Sequence, residues 1–225
     1  NIPSAGVVVG KDRFASCRLA RELGFDIAVL DDGFQHRRLH REMDIVLFDR
    51  AEKASLREPV SSLKRADILL IKTHSHSKGK KGIEKPPPNT SVFEYSVQGK
   101  GLFIIGEKER AEVEDFKGKK VFAFCGIARP RRFLSLLQER GIQPLCFFKF
   151  PDHHSYPPSS IEKITKKYQK LEAEVMLTTE KDAVKIIDKK EFSKLPVYYL
   201  KIGLELEKGF YPRLTHLLHN KGIAI

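Results

Sequence analysis

The chain has 225 residues, 41% hydrophobic and 31% charged, which excludes a disordered or fibrous protein and leaves room for one large domain or two small ones. Forty-one Lys and Arg against 29 Asp and Glu give a net charge of +12, the balance of a protein whose partner carries phosphates or lies on an anionic membrane. Cys17, Cys125 and Cys146 are scattered without a Cys-x-x-Cys pair, which argues against a disulfide framework or a structural zinc site, and no apolar run approaches the roughly 18 residues of a membrane span.

Short apolar runs alternate with helical patterns, the signature of βαβ units and a mainly parallel sheet. Residues 7–9 read as a strand, and residues 12–23 as a helix stopped by Gly24. Residues 27–30 read as a second buried strand ending at Asp31-Asp32-Gly33, with third and fourth strands at 45–48 and 68–71 and a short helix at 61–66 between them. Residues 72–89 are rich in Lys, His, Ser, Gly and Pro, as suits an exposed loop at a boundary. Beyond them, residues 91–97 and 101–105 predict a hairpin turning through Gln98-Gly99-Lys100. A second α/β stretch follows, with strands at 121–125, 145–150, 174–177 and 197–202 and helices at 131–140, 159–171 and 211–219. Thr178-Thr179-Glu180-Lys181-Asp182 reads as a helix N-terminus capped by Thr179.

Ligands of open α/β sheets gather beyond the carboxyl ends of strands, so an apolar run closed by Asp31-Asp32 points to a carboxylate presented to the Mg²⁺ of a nucleotide. Asp32-Gly33 is equally the composition of a plain turn. The following Gln35-His36-Arg37-Arg38-Leu39-His40-Arg41 sets arginine forks and histidines beside that acidic pair, as a phosphate site requires. It also reads as a solvated basic turn paired with Glu42 and Asp44. Asp152-His153-His154-Ser155 is a candidate base or a polar loop, and His74-Ser75-His76 reads as flexible linker rather than metal site.

The string Leu30-Asp31-Asp32-Gly33-Phe34-Gln35-His36-Arg37-Arg38 resembles the signature of the tetraacyldisaccharide 4'-kinase family. Companions agree in order: Val9-Gly10-Lys11-Asp12-Arg13, Leu56-Arg57-Glu58-Pro59, Leu63-Lys64-Arg65-Ala66-Asp67, Ala123 to Pro130, Phe150-Pro151-Asp152-His153-His154 and Leu177 to Ala183. The resemblance implies a P-loop-kinase-like parallel sheet, incomplete at its N-terminus, over residues 1–96. It implies linker strands and a second, smaller α/β domain over residues 97–225. It implies ATP and Mg²⁺, with Asp31, Asp32 and Glu58 at the metal and Asp31, Asp32 and Gln35 at the nucleotide. Arg13, His36, Arg37 and Arg57 are implied for the acylated disaccharide phosphate, and His153 with Asp32 for catalysis. A peripheral site on the cytoplasmic face of the bacterial inner membrane is implied, against an anionic surface, with no nucleic acid and no protein partner.

Some features depart from the family. No Gly-x-x-x-x-Gly-Lys-[Ser/Thr] occurs, and the nearest approach, residues 5–12, lacks the first glycine and ends in Asp. In the family the phosphate loop and the aspartate that partners the catalytic histidine both lie upstream of the segment matching Val7, so the chain is expected to begin after them, to lack the membrane anchor, and to be inactive alone. A degenerate homologue is the other reading of the same absence. Residues 49–55 replace a Leu-Pro-Ala-Gly run with a shorter charged one, and Gly126-Ile127-Ala128 stands for a Gly-x-Gly. The alternative of another class is a non-catalytic basic α/β module holding nucleic acid or anionic lipid. Against it, Trp is absent and the basic run at 35–41 has no interleaved aromatics for stacking.

Overall fold

A computed structural model describes residues 5–49, 56–73, 87–107 and 109–223. The chain divides into two compact units, residues 1–96 with 206–225, and residues 97–205. The expected second domain ran to residue 225, but the C-terminal helix belongs to the first unit.

In the first unit, helix α1 (Arg13–Glu22) begins where Asp12 accepts the N–H groups of Phe14 and Ala15 at 2.9 and 3.2 Å, and ends at Gly24 with φ +84°. Strands β1 (Ile45–Phe48), β2 (Ile68–Lys72) and the start of β3 (Ser91–Ile104) pair in parallel, with Ile45 opposite Ile68 and Ile68 opposite Ser91. Phe48, Leu63 and Leu69 form their core, closed by a 3-10 turn over Val60–Arg65.

The C-terminal helix, named α5 below, returns to this sheet. Phe210 meets the Phe93 ring edge-on at 5.8 Å, Arg213 Nε donates to Ser91 Oγ at 2.8 Å, and Lys221 pairs with Asp67 at 3.0 Å. An aromatic anchor and two charged contacts to one strand region outweigh sequence distance, which is why the last residues pack with the first unit.

Two expected strands are absent. Residues 7–9 and 27–30 are irregular, with Val9 94% and Val29 92% exposed. A strand forms by exchanging backbone hydrogen bonds with a neighbour, and neither segment has one among the described residues. Asp31-Asp32 therefore closes an exposed irregular segment, and of the four strands expected for this half-sheet β1 and β2 remain, joined by the start of β3.

In the second unit the expected hairpin at Gln98-Gly99-Lys100 is also absent, since β3 runs unbroken through it. Arg140 explains the continuity: its Nη2 donates to the Gly99 carbonyl at 2.5 Å and its guanidinium lies where a side chain at 99 would stand. The hairpin forms later, pairing Leu102 with Ala111 of β4 (Arg110–Ala111). Strands β5 (Val121–Cys125), β6 (Cys146–Lys149) and β7 (Val175–Thr179) are parallel, β7 joins β8 (Val197–Leu206) in parallel, and β8 neighbours β3.

Every residue of β5 and β7 is buried, as a sheet covered on both faces requires. Val121, Ala123 and Cys125 face one core with Phe133 and Leu137 of α2 (Pro130–Gln138). Phe122 and Phe124 face the other with Ile161 and Ile164 of α3 (Pro158–Lys170) and Ile186 of α4 (Glu180–Ile186). The helix over Phe210–Asn220 is α5. No helix among the described residues is long and apolar enough to cross a membrane. The mainly parallel α/β class expected from the alternating pattern is the class observed.

Candidate functional site

In the first unit the acidic pair sits at a left-handed turn. Asp32 has φ +53° and precedes a 3-10 turn over Gly33–Gln35. Gly33 is required there, since a Cβ would come within 2.7 Å of Leu30 Cβ. Arg57 Nη1 donates to Asp32 Oδ2 at 3.0 Å, both side chains about two-thirds exposed. Asp31 is exposed and has no partner among the described residues.

The basic run sorts into structural and open groups. Arg41 is structural: it donates to Asp44 at 2.7 and 3.1 Å and to the carbonyls of His36 and Leu39 at 2.7 and 3.0 Å. The hydrogen bond it donates to the Asp44 carboxylate raises its already high pKa. Arg65 stacks 4.1 Å above the Phe34 ring, donates to the Phe34 carbonyl at 3.2 Å and pairs with Glu58. The charged-turn reading thus holds for Arg41 and Asp44, and for His40 beside Glu42 at 3.3 Å.

Arg13, Gln35, His36, Arg37 and Arg38, with Lys11, instead line an open cleft of about 780 Å³. Four of the expected site residues, Arg13, Gln35, His36 and Arg37, therefore share one cleft, while Arg57 contacts Asp32 outside its lining. Such a concentration of guanidinium and ammonium groups suits phosphate oxygens.

Glu58 does not stand free. Hydrogen bonds from Ser62 and Arg65 hold its carboxyl below the usual carboxylate range, overcoming partial burial. Among the described residues no group of three or more His, Cys, Asp or Glu side chains clusters to hold a metal ion, so Asp31, Asp32 and Glu58 do not form a ready-made ligand set. A Mg²⁺ ion asks less: one or two carboxylates, the rest of its octahedron coming from substrate phosphates and water. Asp31 and Asp32 fit that demand as exposed oxygen donors, and Glu58 fits it only by releasing Arg65. His74-Ser75-His76 and residues 50–55 lie outside the described residues.

His153 lies in the second unit, on the loop after β6. It sits at φ +59°, an uncommon conformation for a residue with a side chain, and Tyr156 repeats this at +55°. Buried neighbours hold the loop in that shape: Tyr156 is fully buried, and His154 stacks on Phe150 at 4.6 Å with its Nε2 2.9 Å from Ser160 Oγ. His153 itself is exposed, its Nε2 3.6 Å from Asp152 Oδ2. Asp152 accepts the His153 backbone N–H at 3.0 Å, and that bond, with Lys181 nearby, outweighs desolvation and lowers its pKa.

Sequence reading did not place Lys181 and missed the role of Asp182. Lys181 Nζ lies 3.4 Å from Asp152 Oδ1 and 3.5 Å from His153 Nε2. Asp182 is fully buried: its Oδ2 accepts the Gly126 N–H at 2.9 Å and the Thr179 hydroxyl at 2.7 Å, and its Oδ1 pairs with Lys185 at 3.0 Å. Thr179 caps α4 as expected. A charged residue one turn into a short helix with Lys185 three positions on was the available signal, but capping accounted for it. Burial and the Asp182 charge push the Tyr156 phenol upward, and its hydroxyl has no hydrogen-bond partner among the described residues.

Residues 1–219 match the family described as Tetraacyldisaccharide-1-P 4'-kinase. A Tetraacyldisaccharide 4'-kinase of Halothermothrix orenii is 32% identical over 228 residues, 89% of this chain and 59% of the relative. One of Desulfotalea psychrophila is 36% identical over 200 residues, 81% of this chain and 57% of the relative. Among solved structures, the "apo" form of LpxK from Aquifex aeolicus in complex with ATP matches with a TM-score of 0.66 at 25% identity, covering 92% of this chain and 61% of that one. The chain thus spans about three-fifths of the length of the curated relatives it matches.

Proposed function

The chain belongs to the tetraacyldisaccharide-1-phosphate 4'-kinase family, and from that premise we propose that it serves ATP-dependent phosphorylation of the 4'-hydroxyl of an acylated disaccharide 1-phosphate in lipid A biosynthesis. The family match over residues 1–219 carries this reading. The basic cleft of the first unit and the Asp152–His153 pair of the second supply residue types that the chemistry needs.

Phosphoryl transfer asks mainly for positioning and for cations on the transferring group. His153 takes the 4'-hydroxyl proton on an imidazole nitrogen as the sugar oxygen bonds to the γ-phosphorus, the bond from that phosphorus to the β-γ bridging oxygen breaks, and ADP leaves. An imidazole suits this task, since its unperturbed pKa of about 6.5 leaves it able to accept a proton near neutrality. Asp152 holds the imidazolium that forms. Arg13, His36 and Arg37 engage the substrate phosphate, and Gln35 the nucleotide. Asp31 and Asp32 would hold Mg²⁺, and the ion would supply neutralisation of phosphate charge. Arg57 keeps Asp32 oriented, and Asp32 counts with His153 among the catalytic groups.

The net charge of +12 fits work at an anionic membrane surface, on the cytoplasmic face of the bacterial inner membrane, with the protein peripheral. The test is transfer of labelled γ-phosphate from ATP to the tetraacyldisaccharide 1-phosphate by the gene product at its full natural length. His153→Ala and Asp32→Ala are each expected to lower kcat about 100-fold or more. Transfer at the wild-type rate in both variants overturns the assignment of the site.

A further inference from the structure

Lys181 was left without a task by sequence reading, and its surroundings define one. It occupies the first turn of α4, and its neighbour Asp182 ties that turn to the Gly126 N–H, to Thr179 and to Lys185. The Lys181 stem therefore rises from a fixed base. Facing it, His153 is held at φ +59° by a loop anchored through Tyr156 and His154. Two rigid supports bring an ammonium to 3.5 Å from His153 Nε2 and 3.4 Å from Asp152 Oδ1.

An ammonium carries three donors and no lone pair, so the nitrogen it faces must present its own lone pair. The other group near Nε2, Asp152 Oδ2, lies at 3.6 Å, beyond hydrogen-bond reach. Among the described residues no other charged side chain faces the imidazole: Asp152 comes from its own loop and Lys181 from α4. We propose that Lys181 is a positioning residue that fixes the His153 tautomer, holding the proton on Nδ1 so that Nε2 is the nitrogen that accepts the substrate proton. The proposal rests on the kinase reading for its purpose but not for its geometry.

At 3.5 Å the contact to Nε2 is long, so an arriving hydroxyl displaces it at small cost while the ammonium stays on Asp152. Asp152 is thereby kept from drawing the proton to Nε2. Without Lys181 that carboxylate becomes the dominant neighbour of Nε2, and the Nε2–H tautomer, which cannot act as a base at that atom, gains population.

The test uses the 225-residue chain with ¹⁵N-labelled histidine, in which two-bond ¹H–¹⁵N spectra report the protonated nitrogen of the neutral His153 ring. Wild type is expected to show mainly Nδ1–H, Lys181→Met to move about half of the population to Nε2–H, and Lys181→Arg to restore the wild-type ratio. An unchanged ratio in Lys181→Met overturns the proposal. Lys181 is exposed, so the variant should fold; a wild-type thermal midpoint checks this, and Lys181→Gln read by the same spectra is a second variant. In the full-length transfer assay, Lys181→Met should lower kcat about tenfold with KM within twofold of wild type. Absence of transfer by the wild type would remove the kinase reading and leave the tautomer result standing, so the two failures are distinguishable.

Discussion

The backbone N–H of Gly126 donates at 2.9 Å to the buried carboxylate of Asp182, joining the end of β5 to the first turn of α4 across 56 residues of chain. The same carboxylate group takes the Thr179 hydroxyl and the Lys185 ammonium. Asp182→Ala removes acceptors from three donors, one of them the half-buried Lys185 ammonium. It should destabilise the second unit by about 3–5 kcal/mol, read from the midpoint of urea unfolding. A loss below about 1 kcal/mol would show that water replaces the carboxylate without penalty.

Gly126 is also a steric requirement. A Cβ there would meet His154 Cβ at 2.9 Å and the Pro151 carbonyl and Tyr156 hydroxyl at 3.2 Å. Gly126→Ala must push on the His153 loop, with an expected cost of about 1–3 kcal/mol. Amide chemical shifts of residues 152–156 should move while those of the first unit stay in place. Shifts confined to residue 126 and its chain neighbours would contradict this.

Cys125 is buried, and burial, reinforced by the Asp182 charge, pushes its thiol from the ordinary 9.0 up to about 12. Folding therefore favours the protonated thiol. That contribution is complete below about pH 9 and is lost as pH rises toward about 12, where the folded state ionises too. In a variant with Cys17 and Cys146 replaced by Ser, a disulfide reagent at pH 8 should label Cys125 only on unfolding. Rapid stoichiometric labelling of the folded protein would count against it.

Asp49 and Lys72 pair at 2.6 Å with their side chains only 6% and 10% exposed. Lys72→Met strands a buried carboxylate and should cost the first unit about 3–5 kcal/mol. Asp49 keeps a further interaction, which places the value toward the lower end. A double replacement, Asp49→Leu with Lys72→Met, should recover most of the loss in thermal unfolding. Equal loss in single and double variants would show that the pair matters for something other than its charges.

The exposed pair of Arg57 and Asp32, at 3.0 Å, is the opposite case. Pairs of this kind contribute about 0–1 kcal/mol, so Arg57→Ala should leave the unfolding midpoint nearly unchanged while lowering transfer activity if the kinase reading holds. A large stability loss with intact activity would assign the pair a structural role instead.

Local pattern was enough for the class of fold, strands β5 to β8, helices α2 and α3, the Thr179 cap and the family. These are written in local pattern: fully apolar runs such as Val121 to Cys125 and a nine-residue string that begins at Leu30. Local pattern also misled, because Val7–Val9 and Ile27–Leu30 have strand composition, yet a strand exists only where a neighbour completes its hydrogen bonds. Gly99 had the composition of a turn until Arg140, 41 residues away, held it extended. The tertiary structure alone decided which arginines are structural and which face the cleft, that Glu58 is engaged by Arg65, and that Lys181 meets Asp152 and His153. The Lys181 contacts join segments 28 and 29 residues apart and the Glu58 pair spans seven, and in neither case does a charge in the sequence name its partner.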